Sequence, residues 1–342
     1  MPKIIKLADE NGVMQEVELA DQYVALQAAV TSTRLSDDDA LFMQRQLEFI
    51  EAQSYDTLYP ELEAREAFGV DTSGGPGIQT LTYRSYNHVG SAEVINARAT
   101  NLPKPNVSGK EYSIPVKSVG VSYDYDIDEI AASNTTGIAL EARKAMAATR
   151  GYEQYINSAA WYGDEANGFI GFFEHPGITK ATVAAGTGAG TPTEWDKKLP
   201  SEVIADLTTA VSAMYSSTKK ILRPSEIWLS VEKEQFLFNT PRSDQSDMSI
   251  GNWFLQNNQF ITDRKQIKGL NAVKGMGESG SEMFAVICRV ANGLKTFRLR
   301  EPLPLTWQPV QLHGLIYEIP GRGRFAGFQA MYPAAISINS GI

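Results

Sequence analysis

The sequence predicts a mixed α+β protein, and three observations carry that prediction. Thr135–Asp164 places apolar residues at spacings of three and four, the period of a long helix. Residues 78–127 alternate with the period of two that marks strands, around a polar centre rich in Pro and Gly. Residues 200–300 then alternate short helical and strand patterns, as in a compact α/β lobe.

The long helix has its own start and stop signals. Thr135 or Thr136 serves as N-cap, and Glu141 meets the positive end of the helix dipole. Ile138, Ala142, Ala145, Met146, Thr149, Tyr152, Ile156 and Ala159 form its apolar stripe, while Ala148 and Asn157 fall away from it. Gly163 follows as C-cap. Arg143, Lys144 and Arg150, with Glu141 and Glu153, give a charged face. At 1.5 Å per residue such a helix is roughly 35–40 Å long. Taken alone, it reads as an ordinary core helix.

Before it, residues 1–67 do not pattern as a compact domain. Ile4–Ala8 and Val13–Leu19 flank Asn11-Gly12, a hairpin signal, and a lone hairpin is marginal in water. Ser36-Asp37-Asp38-Asp39 caps a helix whose narrow apolar face is Ala40, Met43, Leu47 and Ile50, widened by Phe42 and Phe49. Thr72–Gly77 is a hinge by composition. A strand over Ile78–Tyr86 and another over Tyr112–Ile127 bound the polar stretch 87–111. In the second strand the apolar phase switches from even to odd positions at Lys117-Ser118, which predicts a bulge or bend there. A protruding ribbon with so few core residues must pack on neighbours.

After the long helix, Ala181–Pro192 is a low-complexity loop. Helices are expected over Ser201–Tyr215, Glu232–Phe238 and Asn252–Asn257. Strands are expected over Glu226–Val231, Ile267–Val273 and Met283–Val290, and through most of Thr306–Ile342, with the last group pairing far upstream near the long helix.

Chemistry finds little to stand on. The balance of 31 basic against 40 acidic residues, a formal charge of −9, argues against a nucleic-acid reader. A container for nucleic acid is still allowed. The single Cys288 excludes an intrachain disulfide framework. Gly186-Thr-Gly-Ala-Gly190 lacks the Lys-Ser/Thr ending of a phosphate loop. Asp124, Asp126 and Asp128 begin like a calcium loop but reach Glu129 and Thr135 where Gly and Glu are needed. His88, His175 and His313 are far apart. Arg322 and Arg324 form a basic turn, suited to a solvated surface or an intersubunit ion pair, with a phosphate site left open. No catalytic residue, cofactor site or metal site is assigned, and no apolar run reaches membrane-spanning length.

The order of these parts resembles the major capsid proteins of tailed bacteriophages with the Hong Kong 97-type fold. Extended stretches carry the resemblance: FMQRQLEFIEAQSYDTLYPELEAR (42–65), TLTYRSYNHVGSA (80–92), LPKPNVSGKEYSIPVKSVGVSYDYDIDEIAA (102–132), INSAAWYGD (156–164), WFLQNN (253–258) and the ending AISINSGI. The resemblance implies an N-terminal arm over 1–67, an E-loop over 68–118, a peripheral domain over 119–199 and 306–342 with its spine helix at about 137–163, and an axial domain over 200–305. It implies a non-enzymatic shell protein, forming hexamers and pentamers around double-stranded DNA in the virion, assembled in the bacterial cytoplasm. Intersubunit contacts would then fall to Phe42, Phe49, Tyr83, Arg84, Tyr86, Leu102, Lys104, Lys110, Tyr112 and Ile114, with Arg143, Lys144 and Arg150 facing the interior or a neighbour. Some relatives crosslink an E-loop lysine. Lys104, Lys110 and Lys117 are available for this and nothing marks one of them. The short arm, with Met1 present, leads to the expectation of a separate scaffolding protein, beside a portal and an optional decoration protein. An encapsulin-like compartment shell shares the fold, and a soluble hydrolase using acidic residues of 200–300 is the alternative from another class.

Overall fold

The computed structural model describes residues 4–8, 14–18, 57–94, 104–136, 140–188, 190–243, 245–277 and 280–342. The chain divides into two compact units, Met1–Pro60 and Glu61–Ile342. In the first, β1 (Ile4–Ala8) and β2 (Met14–Glu18) form the expected antiparallel hairpin, with Ile4 opposite Glu18 and Ala8 opposite Met14. The helix read after Ser36, with Phe42 and Phe49, lies outside the described residues.

The second unit begins with α1 (Ala64–Phe68) and β3 (Val70–Asp71). The ribbon follows as β4 (Thr80–Val89) and β5 (Asn106–Pro115), paired antiparallel from Thr80 opposite Pro115 to Val89 opposite Asn106. Buried Val116, whose N–H donates to the Gln79 carbonyl at 2.8 Å, separates β5 from β6 (Lys117–Asp126). This is the break that the phase switch predicts: β5 pairs within the ribbon, whereas β6 pairs with a strand near the end of the chain.

Helix α2 (Ile127–Thr136) comes next, separate from the long helix. Asp126 and Glu129 start it by exchanging hydrogen bonds: the Asp126 carboxylate accepts from Glu129 N at 2.6 Å, and Glu129 accepts from Asp126 N at 3.3 Å. The long helix itself is α3 (Leu140–Trp161), ending just before Gly163, whose φ of +83° suits a residue without Cβ. Its buried side is Ala148, Tyr152, Ile156, Ala159, Ala160 and Trp161. The expected stripe is corrected in its first half. Ala148, read as outward, is buried, while Met146, read as inward, is 60% exposed.

The main remaining elements, leaving out short strands and 3-10 turns, are β7 (Thr179–Thr182), α4 (Pro200–Ser217), β8 (Glu226–Leu229), α5 (Val231–Asn239), α6 (Ile250–Asn257), β9 (Ile267–Gly269), β10 (Met283–Ile287), β11 (Phe297–Arg300), β12 (Leu303–Trp307), β13 (Gln311–His313), β14 (Ile316–Phe325), β15 (Gly327–Ala330) and β16 (Ile336–Ser340). Five of them make one sheet in the order β9-β8-β10-β16-β7. Its central strand β10 is buried at all five residues, because both faces are covered. Met283, Ala285 and Ile287 point into a core shared with α3, Phe68, Trp161 and Phe172. Phe284 and Val286 point into a second core with α4, α5 and α6. The sheet therefore joins both lobes. Strand β16 belongs to it, whereas β14 pairs with β6 in another sheet. Ile336 and Ile338 alternate toward the first core, which fits β16 beside β10.

Strand β14 pairs with β6 along ten residues, from Ile316 opposite Asp126 to Phe325 opposite Lys117, and carries β12 and β13 on its other edge. A smaller sheet, β15-β11-β3, closes the first core. Ala64, Ala67 and Phe68 also sit in that core, at 1–2% exposure. The final residues of the segment read as an arm are thus body, because α1 presents their small and aromatic side chains to Trp161 and Phe328.

Candidate subunit interface

The segment between the first unit and the ribbon is fixed to the body through Glu63, Ala64, Arg65 and Asp71. Glu63 accepts the backbone N–H groups of Asn271 and Ala272 at 3.0 and 3.2 Å. Ala64 N donates to Asn157 Oδ1 at 3.0 Å. Arg65 spreads its fork between Glu153 and Glu301, reaching one oxygen of each with Nη2 at 3.0 Å. Glu301 is fully buried and also accepts from Tyr152 Oη at 3.0 Å. Burial works against the Arg65 charge, but the hydrogen bonds and fields of the two carboxylates outweigh it and raise the pKa.

Asp71 is the next anchor. Its carboxylate accepts from Ser73 N at 2.9 Å, from Arg300 Nη1 at 2.6 Å and from Arg298. Burial pushes its pKa up, but Ser73 and the two guanidiniums together bring it down from 3.8 to about 2. Arg300 also donates to Gln329 Oε1 at 2.6 Å, and Arg324 Nη1 donates to the Pro76 carbonyl at 2.5 Å. The root of the ribbon is therefore held by buried guanidinium groups. Sequence reading missed this set, although Phe297-Arg-Leu-Arg300 carries a signal: apolar and basic residues alternate, so one strand face is core and the other cationic.

Beyond the root, the ribbon has little of its own to bury. Tyr83 stacks on Tyr112 opposite it, with ring centroids 5.0 Å apart. Arg84 pairs with Glu111 at 2.7 Å, both exposed. Tyr86 is 59% exposed and lies over Gly109, where an added Cβ would sit 3.2 Å from the ring. Lys104 and Lys110 are exposed, and Leu102 lies outside the described residues. Half-buried Ile114 joins Tyr83 and Tyr112 in lining a groove of about 610 Å³ against Ile170, His175 and Phe328. Three candidate contact residues thus face their own body. Arg84, Tyr86, Lys104 and Lys110 are exposed instead, and Val89 and Val107 are 61% and 54% exposed.

Lys144 donates to Glu129 at 2.7 Å and to the Asp124 carbonyl at 2.8 Å, tying α3 to α2 and the end of β6. Arg143 is exposed and Arg150 half-buried.

The motifs set aside on chemistry have structural partners. Thr187 N and Oγ1 donate to Glu202 at 2.8 and 2.7 Å, so a carboxylate already occupies the Gly186–Gly190 loop. Lys198 pins the same loop through Ala184 O and Asp206, both at 2.6 Å. Cys288 is fully buried, and burial pushes its thiol pKa up. Burial lowers the pKa of His175, and among the described residues no cluster of His, Cys, Asp or Glu is arranged to hold a metal ion.

The second unit thus holds two cores on either side of one sheet and a ribbon whose outer side chains are exposed. A sequence model of the major capsid protein family matches residues 90–342, and the chain belongs to that family. Solved structures agree in fold. The capsid of Myoviridae phage XM1 aligns with a TM-score of 0.69 at 15% identity, over 87% of this chain and 98% of that one. The Mycobacterium phage Bobi structure gives 0.55 at 12%, over 90% and 99%. The capsid of a native GTA particle gives 0.55 at 10%, also over 90% and 99%. No curated protein matches the chain. The chain is a structural protein of a capsid shell: it self-associates and resides in the virion. An encapsulin-like compartment and a soluble hydrolase are not favoured.

Proposed function

We propose that this chain builds a closed icosahedral shell of hexamers and pentamers around double-stranded DNA, in the Hong Kong 97 manner. The observation that carries this reading is the ribbon β4–β5, ten residue pairs long with most side chains exposed. A two-stranded sheet of that kind gains its stability by lying on something larger, and a neighbouring subunit supplies it. Ring contacts between unlike surfaces close by rotation. Many individually weak contacts, repeated around each ring, then act together.

In this reading the residues before α1 are the arm, 68–118 the E-loop, 119–199 with 306–342 the peripheral domain, and 200–305 the axial domain. The chain performs no catalysis. Its acidic balance, −9 overall, suits a wall that encloses DNA without gripping it. A separate scaffolding protein and a portal are the further partners, and assembly takes place in the host cytoplasm. Electron microscopy of particles formed with the phage's scaffold co-expressed tests the proposal. Closed shells are expected; a stable monomer that forms neither rings nor shells contradicts it.

A further inference from the structure

Arg322 and Arg324 are charges that the fold leaves without a counter-charge. They stand two residues apart on β14, so both point to the sheet face away from α3, while Gly323 between them faces Tyr152 of that helix. Arg322 is exposed and Arg324 is buried, at 8% exposure. Elsewhere in the body Arg65 holds Glu301, Arg289 holds Glu226, and Arg298 and Arg300 share Asp71. Among the described residues no carboxylate pairs with Arg322 or Arg324. The Arg324 Nη1 donates to the neutral Pro76 carbonyl, and its buried Nε has no hydrogen-bond partner. A buried charge in that state is costly unless something of opposite sign meets it.

The one side-chain contact of Arg322 draws the two guanidiniums together. Its Nη2 donates to Ser118 Oγ at 3.3 Å. Ser118 is the β6 residue opposite Arg324, whereas Arg322 itself is opposite Gly120. Arg322 thus leans along the sheet toward Arg324, past a position that offers no side chain. The first carboxylates along the same face, Asp124 and Glu318, are four strand residues beyond Arg322, roughly 13 Å away. At that separation salt screens most of their attraction. Two like charges therefore lie side by side, one of them buried, with a hydroxyl between them.

We propose that Arg322, Arg324 and Ser118 form a binding site for one oxyanion, a phosphate or a carboxylate, seated between the two guanidiniums. The planar fork of N–H groups on each arginine matches the oxygens of either anion. Ser118 uses its oxygen to accept from Arg322 and keeps its own proton to donate. Binding neutralises Arg324, which holds Pro76 in the hinge leading to β4, so the anion also steadies the root of the ribbon. The oxyanion comes either from solution as free phosphate or from a carboxylate of a second copy, and the chemistry is the same. The site belongs to the single chain and does not depend on the shell reading.

The test titrates inorganic phosphate into the purified full-length chain at constant ionic strength, followed by melting temperature and by calorimetry. A saturable rise of about 4 °C is expected at a hundred times the dissociation constant. Arg322→Gln, at an exposed position that folding tolerates, should weaken phosphate binding roughly tenfold or more, and Arg322→Lys should recover part of it. Arg324→Met should abolish the saturable response and leave the gradual stabilisation that phosphate gives any protein. A free chain indifferent to phosphate, with particle yield lost in Arg322→Gln and kept in Arg322→Lys, assigns the oxyanion to a second copy. No saturable response, with particles formed equally by the wild type and Arg322→Gln, overturns the site and leaves the shell reading standing. A saturable response that Arg322→Gln does not weaken also overturns the site. Saturable binding that Arg322→Gln weakens, in a chain that forms no particles, supports the site and counts against the shell. Neither binding nor particles overturns both.

Discussion

Asp71 and Gly323 set the residue scale, since each fixes the ribbon root or the helix beside it through short-range contacts. The Asp71 carboxyl ionises at about 2 in the fold against 3.8 ordinarily. A lowered folded value contributes stability that is fully present above pH 3.8 and is lost as the pH falls toward about 2. Urea unfolding measured across that window should therefore weaken more steeply in the wild type than in Asp71→Asn. Equal slopes would remove Asp71 from the account. Gly323, in β14, faces buried Tyr152, and a Cβ there would lie 2.1 Å from the Tyr152 oxygen. That oxygen is committed to buried Glu301 and cannot swing away freely. Gly323→Ala is expected to cost about 1–3 kcal/mol, as overpacking of a close-packed core does, read from the urea midpoint at unchanged slope.

Among the elements, α1 has the largest effect for its size. Its Phe68 ring lies 4.5 Å from Trp161, 4.9 Å from Phe328 and 5.5 Å from Phe172, so a five-residue helix joins α3 to β15. Phe68→Ala should destabilise the body by about 3–5 kcal/mol. A loss under about 1 kcal/mol would mean the segment is arm, as its sequence first suggests. This element also shows what the sequence could and could not carry. Strong periodic signals were legible: α3, α4, the ribbon strands and the break at Lys117-Ser118 all follow from side-chain spacing. Helices α5 and α6 were legible too, and Ser230 and Ser249 cap them in the structure. Helix α1 was not, because five residues are too few for a 3.6-residue period to show. The guanidinium set at the root was not either, since Asp71 and Arg298 are 227 positions apart and only the fold brings them together. The stripe of α3 failed in its first half for a related reason. Met146 has the right spacing, but the body ends before it does, and the residue is left 60% exposed.

The whole molecule is a firm body carrying parts that cannot stand alone. The body holds two cores on either side of one five-stranded sheet, and its ribbon root is clamped by Arg298, Arg300 and Arg324. Among the described residues the outer ribbon has no such support, and that division is what a shell subunit needs: stability inside each copy, unfinished surfaces between copies. The division predicts that the two properties separate by deletion. Removing residues 87–111 leaves 84–86 to connect Tyr83 and Tyr112, which are already paired. Mass photometry of that variant beside the intact chain, each with scaffold present, is the most direct measurement. The account predicts shells from the intact chain and only a folded monomer, with an unchanged melting temperature, from the deletion. Shells of normal size from the deleted chain would contradict it.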